Sequence, residues 1–295
     1  MNSSTLSLTP ATEQSAPRSP KSQLMRRFMR NRNALLGASL LLLLLLAALI
    51  GIWYTPYDPV AIDASIRLQP PSAAHLLGTD HFGRDIFSRI LAGAHLSLAI
   101  GVVSVGIAVL FGILLGLPAG YLGGWADMLI MRAMDVLLAF PSVLMALGIV
   151  ATLGASLLNV MIAVAISTVP IFTRLVRAST LSLRNTPFIE AAQVVGSSPL
   201  RIVGLHILPN ILAPLIVLVT LSTASAILIG SALSFLGLGP QPPTPEWGAI
   251  LSEARNYIRL GWWLTVCPGL AIAITVLTLN LLGDGLRDVL DPRLE

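Results

Sequence analysis

An all-α membrane protein with six transmembrane helices is the fold this sequence predicts, on three observations. Apolar residues fill 55% of its 295 positions and charged residues only 11%, and the mean hydropathy is +0.83, far from the balance of a water-soluble domain. The apolar residues gather into runs long enough to cross a hydrocarbon layer of roughly 30 Å. Asp, Glu, Lys and Arg lie outside those runs or near their ends. The formal charge of +4 comes from 18 basic against 14 acidic residues, with no broad basic stripe to track a phosphate backbone, so nucleic acid is not a partner. A single cysteine, Cys267, in an apolar run excludes an internal disulfide framework and a multi-cysteine metal site.

Residues 1–33 read as a tail, rich in Ser, Thr, Pro and Arg, disordered at first and turning helical near Leu24. Arg18, Lys21, Arg26, Arg27, Arg30 and Arg32 precede the first apolar run and face only Glu13, which places this end in the cytoplasm by the positive-inside rule. Residues 34–54 form the first span, long enough for the hydrocarbon core and with no small-residue cleavage site before a plausible mature start, which makes a cleaved signal peptide the weaker reading, with Trp53, Tyr54 and Tyr57 at the far interface. Residues 55–93 carry mixed charges that suit an ordered extracytoplasmic segment. The core, residues 94–283, holds five further spans. The second runs from about Ala94 to Gly120. No charge falls between Asp135 and Arg174, and Gly154-Ala155-Ser156 divides that stretch into two helices, with Arg132 pairing with Asp135 where the third leaves the cytoplasm. A basic cytoplasmic loop fills residues 174–210. The fifth span begins at Ile211 and ends near Leu236. An outer loop and a short helix from Trp247 to Arg259 follow. Trp262 and Trp263 mark the interface before the sixth span, which ends near Leu282, and residues 284–295 return to the cytoplasm as a tail.

Three features carry chemical information. The second span repeats small residues every four positions at Ser104, Ala108, Gly112, Gly116 and Gly120, a smooth ridge that lets another helix approach closely. The fifth repeats them at Ser222, Ala226, Gly230 and Ser234 and adds Thr220, Thr223, Ser225 and Ser231. Hydroxyls around so much of a helix suit a polar translocation path, or simply bond back to their own helix, and periodicity alone leaves both readings open. The cytoplasmic loop reads as a short helix from Phe188, a turn at Gly196, a second helix from Pro199 and a proline stop at Leu208-Pro209. Connectors of that length usually have a task. The outer His75, Asp80, His81 and Asp85 match no established metal-ligand spacing, so the reading is structural: Asp80 or Asp85 capping short helices and pairing with Arg84 or Arg89.

Glu190-Ala191-Ala192, then Gly196, then Leu208-Pro209, resembles the EAA loop of permease subunits of ATP-binding-cassette (ABC) importers, with His206 where that pattern favours Ile. Leu77-Gly78-Thr79-Asp80, Gly83-Arg84-Asp85, Gln241 to Gly248, Gly283 to Asp288 and Asp291-Pro292 narrow the resemblance to the C-type permease of the dipeptide, oligopeptide and nickel importers. It covers about residue 24 to the end.

The resemblance implies a type I importer permease fold in a bacterial inner membrane. It implies a homologous second permease, two cytoplasmic ATP-binding subunits that hold ATP and Mg, and an extracytoplasmic substrate-binding protein. This chain would bind no cofactor and hydrolyse nothing; its only lysine, Lys21, follows Pro20 rather than a glycine-rich turn. Glu190, Ala191, Ala192, Gly196, Leu208 and Pro209 would couple to the ATPases, and Thr220, Thr223, Ser231 and Ser234 would line the path of a dipeptide or oligopeptide. The alternatives are nickel or a metal chelate as cargo, or an ion-coupled carrier, which usually needs ionisable groups in the spans.

Overall fold

The computed structural model describes residues 20–290, with side chains from residue 25 onward. Eleven α-helices are present among them, and no strand beyond one isolated bridge between Thr79 and Asp85. The helices are α1 (Pro20–Arg30), α2 (Arg32–Trp53), α3 (Ile86–Leu122), α4 (Gly124–Leu138), α5 (Ser142–Leu153), α6 (Leu157–Arg184), α7 (Pro187–Val194), α8 (Pro199–Ile202), α9 (Leu208–Phe235), α10 (Trp247–Ala254) and α11 (Trp263–Leu290). One end of the bundle carries α7 and α8 and is here the loop end. The other carries residues 54–85 and α10 and is here the cap end.

The small-residue ridge of α3 lies against α6. Ser104 donates its hydroxyl to the Met161 carbonyl at 2.9 Å. A Cβ on Gly112 would sit 2.4 Å from the Phe172 Cβ, one on Gly116 2.7 Å from the Thr173 carbonyl oxygen, and one on Gly120 2.7 Å from the Thr180 Cβ. Ala108 is fully buried in the same row. Contacts that advance together along both chains make α3 and α6 parallel. The chain must therefore return to the cap end between them, and α4 with α5 makes that return.

The third crossing is consequently not the single straight helix the sequence suggests. It bends by 88° between α4 and α5, at Ala139 to Pro141, because Pro141 supplies no N–H and disfavours helical geometry in the residue before it. Among the described residues five helices are long and apolar enough to cross a membrane; α4 and α5 pass the same test only as a pair, and the parallel run of α3 and α6 makes that pair the sixth crossing. Asp135 pairs with Arg174 of α6 at 2.6 Å instead of Arg132. Asp127 takes Arg177 in a bidentate ion pair.

Other boundaries also shift. Helix starts at Pro20, before Leu24, and residues 1–19 and 291–295 lie outside the described part. α3 starts at Ile86 rather than Ala94, because Asp85 caps it by accepting the Ser88 amide at 2.8 Å and Arg89 points inward. α6 runs on to Arg184, which shortens the loop. No stop occurs at Pro209: α8 passes through a π-helical turn, Val203–Ile207, directly into α9. The wider turn pairs the Leu208 amide with the Val203 carbonyl, just ahead of the proline that has no N–H to donate. α11 extends to Leu290, past the predicted end at Leu282.

α2 packs on α11 and α3 through its own glycines. Gly37 and Gly285 bring α2 and α11 into backbone contact, and a Cβ on Gly51 would sit 2.0 Å from the Leu91 carbonyl oxygen.

Candidate functional site

At the loop end α7, α8 and the turn between them form a protruding knob. Pro187 opens α7 at its first turn, where a missing N–H costs nothing. The end of α7 closes as a Schellman motif, with the Gly196 amide bonded to the Gln193 carbonyl at 2.9 Å and the Ser197 amide to the Ala192 carbonyl at 3.0 Å. Gly196 has φ +86° and open space around its Cα. Backbone conformation, not crowding, is what requires glycine there. Ser198 then caps α8 through the Arg201 amide. Ile189, Ile202 and Ile207 anchor the knob, each at most 1% exposed. Its tip is apolar and bare: Val194, Val195 and Leu200 are 88%, 85% and 87% exposed. Glu190 and Ala191 are exposed beside that tip, Ala192 and Leu208 are half-buried, and Pro209 is exposed. The structure thus joins Glu190, Ala191 and Gly196 in one surface and sets Leu208 and Pro209 at the root of α9.

The hydroxyls predicted on the fifth span occupy two settings. Thr220 and Thr223 donate to the Ile216 and Val219 carbonyls at 3.0 and 2.8 Å. Ser231 and Ser234 are buried beneath α10, where a Cβ on Gly248 would meet the Ser231 carbonyl oxygen at 2.5 Å and the Ser234 Cβ at 2.8 Å. The Ser231 hydroxyl has no hydrogen-bond partner among the described residues. A separate stripe on α9, Ser225, Leu228, Ala232 and Phe235, faces outward.

Sequence reasoning missed what holds α10 in place. Glu246 is fully buried. Its carboxylate accepts the Gly248 and Ala249 amides at 3.0 and 2.9 Å and the Ser97 hydroxyl of α3 at 3.0 Å. Burial pushes the Glu246 carboxyl above the usual carboxylate range, and these donors oppose the rise. Trp247 donates its indole N–H to the Ile90 carbonyl at 2.9 Å. An acid directly before a helix that opens Trp-Gly was the available signal, since only a capping residue gains from that position.

The cap is closed by a buried ionic quartet. Asp80 takes Arg84 Nε at 2.6 Å and Arg89 at 3.2 Å, and Glu253 of α10 takes the same two arginines at 2.9 and 2.8 Å. Arg89 is fully buried. His75 pairs with Asp85 at 3.0 Å, while His81 stacks on Tyr257 with ring centroids 4.4 Å apart. Burial lowers the His81 pKa, against the pull of Asp80 and Glu253. Among the described residues no three His, Cys, Asp or Glu side chains converge as a metal site.

Six crossings with a tightly capped α10 at one end and an apolar knob at the opposite end define a membrane transport permease. The chain belongs to the family of binding-protein-dependent transport system inner membrane components, which matches residues 112–295, and residues 19–71 match the N-terminal membrane domain of oligopeptide transport permease C. It is thus the permease component of an ABC importer. It is 49% identical to the di/tripeptide transport system permease protein DppC of Pseudomonas aeruginosa, over 94% of this chain and 93% of the relative. Identity to the dipeptide permease DppC of Alkalihalophilus pseudofirmus is 48%, covering 97% and 94%. The glutathione transport system permease protein GsiD of Escherichia coli is 47% identical, covering 98% and 96%. Among solved structures, an inward-facing MetNI methionine ABC transporter aligns with TM-score 0.53 at 21% identity, over 68% of this chain and 96% of the other. That last likeness concerns the fold.

Proposed function

We propose that this permease forms half of the import path for dipeptides or short oligopeptides, with a homologous second permease supplying the other half. Relatives named for di- and tripeptides support the cargo class, and the GsiD likeness fits a tripeptide-sized upper range. Two cytoplasmic ATPases, holding ATP and Mg, would grip the knob, and a substrate-binding protein would dock at the cap end. The termini and the loop end would then face the cytoplasm, in keeping with the arginines before α2.

The observation that carries the reading is the knob. Three large apolar side chains stand exposed on a rigid turn, beside a carboxylate near a helix N-terminus where the dipole favours it. An isolated chain gains nothing from that arrangement; a partner groove does. Glu190, Ala191, Ala192 and Gly196 would be the transmitting surface, and Leu208 and Pro209 the link into α9. α9 would line the path, with Ser225 and Thr220 accessible in the present state, Ser231 and Ser234 reached when α10 withdraws, and Thr223 reached when α9 parts from α3 at Gly101. Closure of the ATPase pair would thereby favour one of two packed states over the other.

The test is uptake of a labelled dipeptide into vesicles holding the assembled transporter and its binding protein. Accumulation should need ATP and survive the collapse of ion gradients. Uptake driven by an ion gradient without ATP would replace this reading with the ion-coupled carrier, and exclusive uptake of nickel or its chelates would replace the cargo.

A further inference from the structure

α1 presents a surface that the transport reading leaves unused. At about 100° per residue, Phe28, Met25 and Met29 fall in one arc and Arg26, Arg30 and Arg27 in the arc beside it. Arg27 and Phe28 are half-buried, on the side where α1 packs against α11 and α2. The outward side therefore pairs an apolar half, Met25 at 62% and Met29 at 61% exposure, with a basic half formed by exposed Arg26 and Arg30. No acidic residue occurs in α1 or at Arg32 after it. Asn31 fixes the junction by capping α2 through the Ala34 amide at 2.9 Å and by donating to Asp288 of α11 at 3.1 Å. Directly beyond, Leu36, Leu42 and Leu43 of α2 stand 56% to 63% exposed, the start of the band that meets lipid tails.

We infer that α1 is an interfacial helix that docks on anionic phospholipid headgroups at the loop end. A helix with an apolar half beside a basic half fits the boundary between tails and phosphates: Met25 and Met29 enter the acyl layer while Arg26 and Arg30 reach up to phosphate oxygens. Guanidinium groups suit that role because each can hold two phosphate oxygens at once. The short Asn31 junction keeps α1 at the depth where the apolar run of α2 begins. The occupant is the bilayer itself, because α1 leads through Asn31 directly into α2 with its exposed leucines and its charge is opposite to that of the headgroups.

The test uses the full-length chain with Cys267→Ala and a single cysteine at Met29, labelled with a polarity-sensitive fluorophore. It is reconstituted in vesicles of phosphatidylcholine alone or mixed with phosphatidylglycerol. Docking predicts a blue shift and quenching by brominated acyl chains in the mixed vesicles, and much less in phosphatidylcholine. Arg26→Gln with Arg30→Gln should lower the docked-to-undocked ratio in the mixed vesicles roughly tenfold. A label that stays in water in both vesicles, equal docking in both, or an unchanged double variant would overturn the inference. So would shielding that appears only once ATPase subunits are added, which would make a protein the occupant.

Discussion

Two glycines of one helix separate what crowding requires from what composition supplies. Gly112 faces Phe172 across the α3 and α6 contact, whereas Gly106, less than two turns earlier, has nothing within 4 Å of where its Cβ would lie. Gly112→Val forces either the helices apart or the Phe172 side chain out of place, a cost of about 1–3 kcal/mol or more. Gly106→Ala should be neutral or slightly stabilising. Thermal unfolding in detergent checks both: the Gly112 variant should melt several degrees lower and the Gly106 variant should match the parent. His81 makes a different residue-scale case. Burial holds its pKa below the ordinary value of 6.5, so at neutral pH the folded cap favours the neutral imidazole. Once pH drops below that value the unfolded segment takes up a proton that the folded one resists, and stability falls as pH falls. Hydrogen exchange in residues 54–85 should therefore speed up from about pH 7 to about pH 5, after correction for intrinsic rates, and His81→Phe should flatten that trend. An unchanged trend in the variant would remove His81 as its source.

At the scale of elements, the sequence made the helices legible and their ends less so. Apolar runs locate α2, α3, α6, α9 and α11 because a membrane helix must keep its outward face apolar whatever it packs against. Ends were misplaced where a charge marks no exit to water. Arg89 reads as aqueous yet lies fully buried between Asp80 and Glu253, so α3 extends eight residues further than its apolar stretch. The bend at Pro141 was hidden for the opposite reason: Phe140-Pro141 sits in an uncharged run, where hydropathy sees no break. The knob was legible as helix, glycine turn, helix, since Pro187, Gly196 and Pro199 each punctuate the chain in a recognised way. Glu246 was legible only in part: its capping of α10 is local, whereas its bond to Ser97 joins residues 149 positions apart.

Across the whole molecule, the two ends differ in kind. The cap end ties α3, α10 and residues 54–85 together through buried ion pairs and the Glu246 cap. The loop end exposes an apolar turn anchored by three isoleucines and continuous with α9 through the π-helical turn at Val203–Ile207. A push on Val195 or Leu200 is thereby delivered to the helix that runs beneath α10. If ATPase subunits grip the knob as proposed, that arrangement would be the physical content of coupling between ATP hydrolysis and the path. The most direct test measures ATP hydrolysis and peptide uptake on the same reconstituted transporters, normalised to assembled complex, for the parent, Gly196→Asp and Glu190→Lys. Gly196→Asp strains a backbone at φ +86° by roughly 1 kcal/mol, and Glu190→Lys reverses the charge beside the knob's tip. Coupling through the knob predicts that both variants assemble as a permease pair but lose uptake by an order of magnitude or more, through weakened ATPase docking or hydrolysis no longer tied to transport. Parental hydrolysis and uptake per complex in both variants would contradict it.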